Sequence, residues 1–186
     1  MKQRIFIAIN IPEDIKNELI SYQKELASLS ARWTPKENLH ITLVFIGEIN
    51  SSEVSEVLRV AREIAKKHSS FYLKLNKITL GPPNKPPRMV WAQGESNSLV
   101  TALKNELEEA FLKSSKISYN QKEKRPYRPH ITLARFKKEQ LFKPPALKID
   151  KDIDCSFLVD KIEVMESNLE PSGAKYLILE SIKLGA

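Results

Sequence analysis

Two of the three histidines in this 186-residue chain stand in the same tetrapeptide, His-Ile-Thr-Leu. The first copy covers residues 40–43 and the second covers residues 130–133. Because side chains alternate along an extended strand, each His shares one face with the Thr that follows, and the Ile and Leu share the other. Each copy therefore predicts a strand that buries two aliphatic side chains and presents an imidazole beside a hydroxyl.

These two polar pairs suit chemistry at a phosphate ester if the fold brings them together. Displacement at phosphorus needs a base for the nucleophile and an acid for the leaving oxygen, and histidine serves either purpose near neutral pH. Hydroxyl groups can donate hydrogen bonds to phosphate oxygens, and a nearby arginine can neutralise developing charge. A single His-x-Thr is usually a half-exposed surface pair, so it is the repeat that indicates a catalytic site at His40 and His130.

The hydrophobic pattern predicts two similar halves, each containing one of the repeated strands. A helix is expected after Pro12, a second at Asn50 or Ser51, where Glu53 has capping-box spacing from Asn50, and a third near Asn97 or Ser98. The predicted strands cover residues 4–10, 39–47, 71–80, 88–95, 129–136, 156–167 and 174–184, the last two linked as an antiparallel hairpin.

This order of elements predicts an α+β fold. Two similar lobes would be related by a pseudo-two-fold axis, with mainly antiparallel sheets lining a central cleft and helices packed outside. No linker divides the sequence, so residues 1–186 are expected to form a single bilobal domain, with the motif strands at 39–47 and 129–136.

The composition favours an anionic partner. Lys and Arg number 30 against 23 Asp and Glu, which gives a net charge of +7. Basic residues also lead into the second motif, and they are either solvated surface or a track for an RNA backbone. Those assigned to the track are Lys122, Lys124, Arg125 and Arg128.

The N-terminal segment, MKQRIFIAINIPED, fits neither a signal peptide nor a membrane span, and no later segment is long enough to cross a bilayer. A cytoplasmic protein is therefore expected. Cys155 is the only cysteine, which excludes an intrachain disulfide and a thiolate metal cluster. Neither a metal ion nor a cofactor is expected.

Longer stretches around both histidines carry a family resemblance. The segments RIFIAINIP, ARWTPKENLHITLVFIGEI, RPYRPHITLARF and VMESNLEPSGAKYLILESIKL together resemble the two-histidine phosphoesterase superfamily. Within it, the chain is most similar to the RNA 2′,3′-cyclic phosphodiesterases, also called 2′-5′ RNA ligases. The resemblance runs almost from end to end.

The resemblance implies a role for each matched residue. His40 would be the general acid that protonates the leaving 3′-oxygen of a cyclic phosphate, and His130 the base that activates water to give a 2′-phosphate. The sequence by itself does not decide which histidine is which. The other implied site residues are Thr42, Thr132 and Arg135 on the phosphate, and Phe6, Trp33 and Tyr127 beside the nucleotide.

Some of these expectations can be read in a second way. Strict alternation would place Arg135 on the face opposite His130, so that a β-bulge or its long side chain must return it to the cleft. Trp33 and Tyr127 would serve equally well as packing residues of the core or the rim.

The leading interpretation is therefore a metal-independent RNA 2′,3′-cyclic phosphodiesterase. It would be a monomer that acts on RNA with a cyclic phosphate end or a 2′-5′ linkage and does not bind membranes. Whether reverse 2′-5′ joining accompanies hydrolysis is left open. The alternatives are a phosphodiesterase for another cyclic phosphate or a 2′-5′ oligoadenylate, and a non-catalytic RNA-binding module.

Overall fold

The computed structural model describes residues 2–83, 86–120, 126–136, 148–171 and 173–185. The strands are β1 (Lys2–Asn10), β2 (Ala31–Trp33), β3 (His40–Asn50), β4 (Phe71–Gly81), β5 (Met89–Gly94), β6 (His130–Phe136), β7 (Asp150–Val159), β8 (Lys161–Glu170) and β9 (Gly173–Lys183). The helices are α1 (Glu13–Glu25), α2 (Ser51–Ala65) and α3 (Ser98–Lys113), with a short 3₁₀ turn at Lys36–Asn38. The expected α+β class is confirmed.

The nine strands of the described residues belong to one antiparallel sheet, in the order β7-β4-β5-β6-β3-β1-β8-β9, with β2 pairing alongside β6. We call β3-β1-β8-β9 the first half-sheet and β7-β4-β5-β6, with β2, the second half-sheet. The halves meet where β3 lies beside β6, and the backbone pairing there consists of Ile41 opposite Ile131.

The two half-sheets repeat the same register around the motif strands. Four residue pairs show this: Asn10–His40 and Ala8–Thr42 between β1 and β3, and Gln93–His130 and Trp91–Thr132 between β5 and β6. The strand order is also symmetric about the β3–β6 junction. This arrangement agrees with the pseudo-two-fold relation expected from the repeated tetrapeptide.

Helix α2 begins as its sequence predicts. The Asn50 side chain accepts hydrogen bonds from the backbone N–H groups of Ser52 and Glu53, and the Glu53 carboxylate accepts from the Asn50 N–H. This capping box satisfies amide groups that have no partner inside the first helical turn. Helix α2 then packs against α3 and the first half-sheet.

The predicted strand over residues 156–167 is wrong. Strand β7 ends at Val159 and β8 begins at Lys161, and the chain passes at Asp160 from one half-sheet to the other. In β7 buried and exposed residues alternate, as they do in a strand with one exposed face, whereas Ile162–Met165 of β8 are all buried. A strong apolar pattern on both sides of Asp160 hid the change of partner.

No helix among the described residues is long and apolar enough to cross a membrane.

A buried glutamine ties α1 to the second half-sheet. Pro12 precedes α1, and Ile15, Leu19 and Gln23 face inwards along the helix. The Gln23 side-chain amide donates to the carbonyl oxygens of Thr34 at 3.0 Å and Leu133 at 3.1 Å. It therefore holds the residue that follows β2 against the middle of β6.

Replacing Gln23 with Ala should lower the free energy of unfolding by about 1–3 kcal/mol, because two hydrogen bonds to backbone oxygens are lost in a buried setting. Urea unfolding of the purified variants measures the change. Lys24→Ala is the matched control, since Lys24 is the exposed neighbour on the same helix and should change stability by less than about 0.5 kcal/mol. Equal effects of the two variants would contradict this role for Gln23.

Candidate active site

A cleft of about 800 Å³ runs along the junction of the two half-sheets. We call it the central cleft. Its size is that of a typical small-molecule site. Its lining includes the two histidines, the two threonines and the arginine predicted from the motifs: His40, Thr42, His130, Thr132 and Arg135. The fold thus brings together side chains that lie about ninety residues apart in the sequence.

Both histidines are oriented by the same backbone contact. The Nδ1–H of His40 donates to the carbonyl of Asn38, and the Nδ1–H of His130 donates to the carbonyl of Arg128, both at 2.8 Å. A carbonyl oxygen can only accept, so the proton of each neutral ring lies on Nδ1. Nε2 is therefore the nitrogen that can exchange a proton with a ligand.

The Nε2 atom of His40 already has a polar neighbour. It lies 3.0 Å from the Thr42 hydroxyl, which donates to it when the ring is neutral. The imidazole and hydroxyl that the sequence places on one face of β3 are thus in direct contact. A phosphate that enters the cleft would meet both groups together.

Aromatic rings pack against both imidazoles, but with a different geometry at each one. The His40 ring lies 5.1 Å from the rings of both Phe6 and Tyr176, measured between centroids. The His130 ring stacks on Trp91 at 3.9 Å with an interplanar angle of 28°. Sequence reasoning missed Trp91 and Tyr176 as site residues. Trp91 could have been found only from the register that puts it opposite Thr132, and Tyr176 carried no local signal.

Burial lowers the pKa of His40 below its usual value of 6.5 because a charged imidazolium loses hydration there. The positive charges of His130 and Arg135 act in the same direction, and the hydrogen bond to Asn38 opposes them. In these surroundings His40 is therefore neutral at neutral pH. A bound phosphate would favour the charged form again, because an opposite charge nearby raises the pKa of an imidazole.

Of the two ways in which Arg135 could return to the cleft, the structure shows a β-bulge. Trp91 pairs with Thr132 and Val90 pairs with Ala134, so β6 contains one extra residue, Leu133, at this point. The extra residue reverses the alternation and returns Arg135 to the face of His130 and Thr132. The Arg135 guanidinium lies 3.0 Å from the sulfur of Met89.

The same irregularity occurs in the first half-sheet. Ala8 pairs with Thr42 and Ile7 with Val44, so Leu43 is the extra residue there. Phe45 therefore occupies the position that corresponds to Arg135 and also lines the central cleft. The two half-sheets present the same His-x-Thr pair but differ in the residue that follows it on the cleft face.

The three predicted nucleotide aromatics have different positions. Phe6 and Trp33 line the central cleft. Tyr127 is not among the described residues of its lining: its hydroxyl donates to the Thr42 carbonyl at 2.9 Å, and its ring packs against the main core. Burial also raises its pKa, so it stays a neutral donor. Tyr127 therefore packs as a core residue, which the sequence also allowed, and its contact with a nucleotide stays a prediction.

The predicted basic track is described only in part. Lys122, Lys124 and Arg125 lie outside the described residues. Arg128 is exposed and does not belong to the described lining of the cleft, although its carbonyl orients His130. The cations found in the cleft lining, apart from Arg135, were not predicted: Arg4, Arg32 and Lys175.

No group of three or more His, Cys, Asp or Glu side chains that could hold a metal ion occurs within the described parts of the chain.

Comparison with known proteins identifies the family. Residues 9–91, which contain the first motif, match the family model described as LigT like Phosphoesterase. A Methanocaldococcus jannaschii protein named RNA 2′,3′-cyclic phosphodiesterase is 32% identical over 180 residues, covering 95% of this chain and 98% of the relative. A Thermus thermophilus protein of the same name is 28% identical over 97% of this chain and 90% of its own length. The chain belongs to the LigT-like phosphoesterases, a branch of the two-histidine phosphoesterase family.

Solved structures agree with this assignment. A crystal structure of a Thermus thermophilus protein matches this LigT-like phosphoesterase with a TM-score of 0.82 and 26% identity, covering 97% of both chains. The apo form of E. coli LigT has the same fold, with a TM-score of 0.79 at 23% identity over 100% of this chain and 99% of that one. The family resemblance drawn from the two motifs is confirmed.

The lowered pKa of His40 predicts how the stability of this LigT-like phosphoesterase depends on pH. The unfolded chain binds a proton at His40 near pH 6.5, whereas the folded protein resists it until a lower pH. Stability is therefore lost as the pH falls through about 6.5. Urea unfolding at pH 7.5 and 5.5 should show a smaller loss for His40→Gln than for the unchanged protein.

Thr132→Ala is the control for this experiment, because it removes a cleft hydroxyl that contacts Met89 and leaves the His40 imidazole with its partners in place. Its loss of stability between the two pH values should resemble that of the unchanged protein. An identical pH dependence in His40→Gln would show that His40 does not cause it.

Proposed function

We propose that this protein hydrolyses the 2′,3′-cyclic phosphate end of RNA to a 2′-phosphate without a metal ion. The observation that carries the proposal is the pair of imidazoles that line one cleft, each with its Nδ1–H donating to a backbone carbonyl, so that Nε2 is the nitrogen that can exchange a proton. The substrate is supported by the curated relatives named RNA 2′,3′-cyclic phosphodiesterase.

The proposed reaction moves one proton at each histidine. Nε2 of His130 accepts a proton from water as the water oxygen forms a bond to phosphorus. The bond between phosphorus and the 3′-oxygen breaks, and that oxygen takes the proton from Nε2 of His40. The product carries a 2′-phosphate and a free 3′-hydroxyl, and proton exchange with solvent restores the two imidazoles.

The charge of the substrate prepares His40 for its role as acid. The cleft by itself keeps His40 neutral because burial lowers its pKa. A phosphate near Nε2 raises that pKa, so the imidazolium forms where the leaving oxygen needs it. Thr42 and Thr132 would donate to the non-bridging oxygens, and Arg135 would stabilise the additional charge of the transition state.

The contacts of the histidines favour catalysis over simple RNA binding. Two oriented imidazoles, each held in a defined tautomer and packed against an aromatic ring, are what acid–base catalysis needs. Binding to a phosphate backbone needs only cations.

Action on RNA, a monomeric state, a cytoplasmic location and the basic track at 122–128 are further parts of this proposal. The reverse 2′-5′ joining reaction and other cyclic phosphate substrates are outcomes for the assay to distinguish.

The test is incubation with a short RNA that ends in a 2′,3′-cyclic phosphate, followed by identification of the new end. His40→Ala and His130→Ala should each reduce the rate by about 10²–10⁴-fold. The double variant should be little worse than either single one, because the two residues act in one displacement. His68→Ala is the matched control: this third histidine lies 3.2 Å from the Glu106 carboxylate and outside the cleft lining, and its loss should leave the rate unchanged.

Three results would contradict the proposal. A 3′-phosphate product would show that the 2′-oxygen leaves, so the assignment to His40 would be wrong. Unaltered turnover in either cleft variant would contradict acid–base catalysis by the pair, and RNA binding with no turnover in the unchanged protein would favour the binding module.

Metal independence is tested separately. Activity should survive EDTA, since protons at two imidazoles and fixed cationic groups supply the charge stabilisation that the reaction needs. Loss of turnover on chelation, with recovery after adding a divalent ion, would overturn this part of the proposal.

A further inference from the structure

Two arginines face each other across the short β2–β6 ladder. Arg32 is the direct partner of Arg135 in this antiparallel pairing, and both side chains line the central cleft. The Cβ atoms of directly opposed residues lie about 4.5–5.5 Å apart, and like charges in this position destabilise a sheet. Arg32 therefore needs an explanation other than the stability of the fold.

Neither guanidinium is neutralised by a carboxylate within the described residues, where Arg32 and Arg135 form no ion pair. Two arginines of helix α2 show what such a pairing looks like in this molecule. Arg59 pairs with Glu56 and Glu63, and Arg62 pairs with Glu180 at 2.6 Å. The two cleft arginines are thus available to a negatively charged ligand.

The fold nevertheless holds β2 firmly beside β6. The strand has three residues, too few to be stable alone. The Thr34 N–H donates to the Leu133 carbonyl at 2.8 Å, and Gln23 bonds both Thr34 and Leu133 from α1. These contacts keep Arg32 opposite Arg135 despite their repulsion.

We propose that Arg32, directly beside Arg135, forms a second phosphate subsite, which binds the phosphodiester on the 5′ side of the terminal nucleotide. This inference rests on the proposed function. In the proposed reaction Arg135 contacts the reacting phosphate. Arg32 lies directly beside it, so a second negative charge on the ligand would be the partner of Arg32. In RNA that ends in a cyclic phosphate, the nearest such charge is the phosphate attached to the 5′-oxygen of the same nucleotide.

The subsite predicts a preference for substrates that carry this second phosphate. A hydrogen bond to a charged group changes affinity by about ten- to a hundredfold. Three substrates separate the sources of the charge: adenosine 2′,3′-cyclic phosphate, its 5′-phosphorylated form, and a dinucleotide that ends in the cyclic phosphate. The measured quantity is the ratio of kcat/KM for each phosphorylated substrate to kcat/KM for the nucleoside cyclic phosphate.

In the unchanged protein both ratios should be at least about ten, and in Arg32→Ala both should fall towards one. The change should come mainly from KM, because the second phosphate does not react. Arg32→Lys should restore part of the preference, since lysine keeps the charge but loses the two-pronged geometry. Arg88→Ala is the matched control: Arg88 is exposed, adjoins the β5 residue that pairs with Arg135, and is not among the described lining residues, so the ratios should stay high.

Three results would overturn the subsite. The unchanged protein could show no preference for a 5′-phosphate. Arg32→Ala could reduce kcat/KM by the same factor on all three substrates, which would place Arg32 on the reacting phosphate. A preference for the 5′-phosphorylated mononucleotide without one for the dinucleotide would show that the subsite takes a terminal phosphate and not a phosphodiester.

A binding measurement separates failure of this inference from failure of the proposed function. Calorimetric titration compares adenosine 2′-monophosphate with adenosine 2′,5′-bisphosphate, and neither ligand needs to react. Tighter binding of the bisphosphate, abolished in Arg32→Ala, would support the subsite even if no hydrolysis were found. Equal affinities, or no binding of either ligand, would contradict it, and hydrolysis without any 5′ preference would leave only the catalytic proposal standing.

Discussion

β3 and β6 join the two half-sheets through the pairing of Ile41 with Ile131, and the central cleft depends on this contact. Because the strands are antiparallel, the pairing puts His40 on the Thr132 side of the junction and Thr42 on the His130 side. The shortness of the ladder between β3 and β6 is as important for the cleft as its register. A longer ladder would close the sheet between the motif strands, whereas strands that separate beyond one pair leave room for a phosphate between them.

Such a short junction needs support from outside the sheet. Tyr127 provides one tie, because its hydroxyl reaches from the segment before β6 to the Thr42 carbonyl of β3. The Lys104 ammonium lies 5.9 Å from the Tyr127 ring centroid and forms a buried ion pair with Glu108 at 2.6 Å. A buried charge that has its partner contributes little net stability, but removing one partner is costly. The position of Thr42 is thereby coupled to the packing of α3.

The pseudo-symmetric backbone produces two different chemical environments. Both motif strands carry the bulge after the His-x-Thr pair, but the next cleft residue is Phe45 in one and Arg135 in the other. The His40 ring contacts the rings of Phe6 and Tyr176, and the His130 ring stacks on Trp91. An acid and a base in one reaction need different proton affinities, and environments that differ around equivalent histidines are a means of achieving this. Duplicated geometry fixes where the imidazoles lie, and the unequal neighbours give each one different surroundings.

The sequence predicted correctly those features that depend only on neighbouring residues. The two His-Ile-Thr-Leu strands, the Asn50 cap and the final hairpin follow from period and turn chemistry within about ten residues. The sequence did not predict the features that depend on pairing between distant strands. These are the end of a strand at Asp160, where the chain changes half-sheets, and strand β2, which is too short to show any period. Arg32 belongs to this second class, because its identity suggests only a surface cation. The reason to assign Arg32 a ligand is the strand register, which places it opposite Arg135, about one hundred residues away in the sequence.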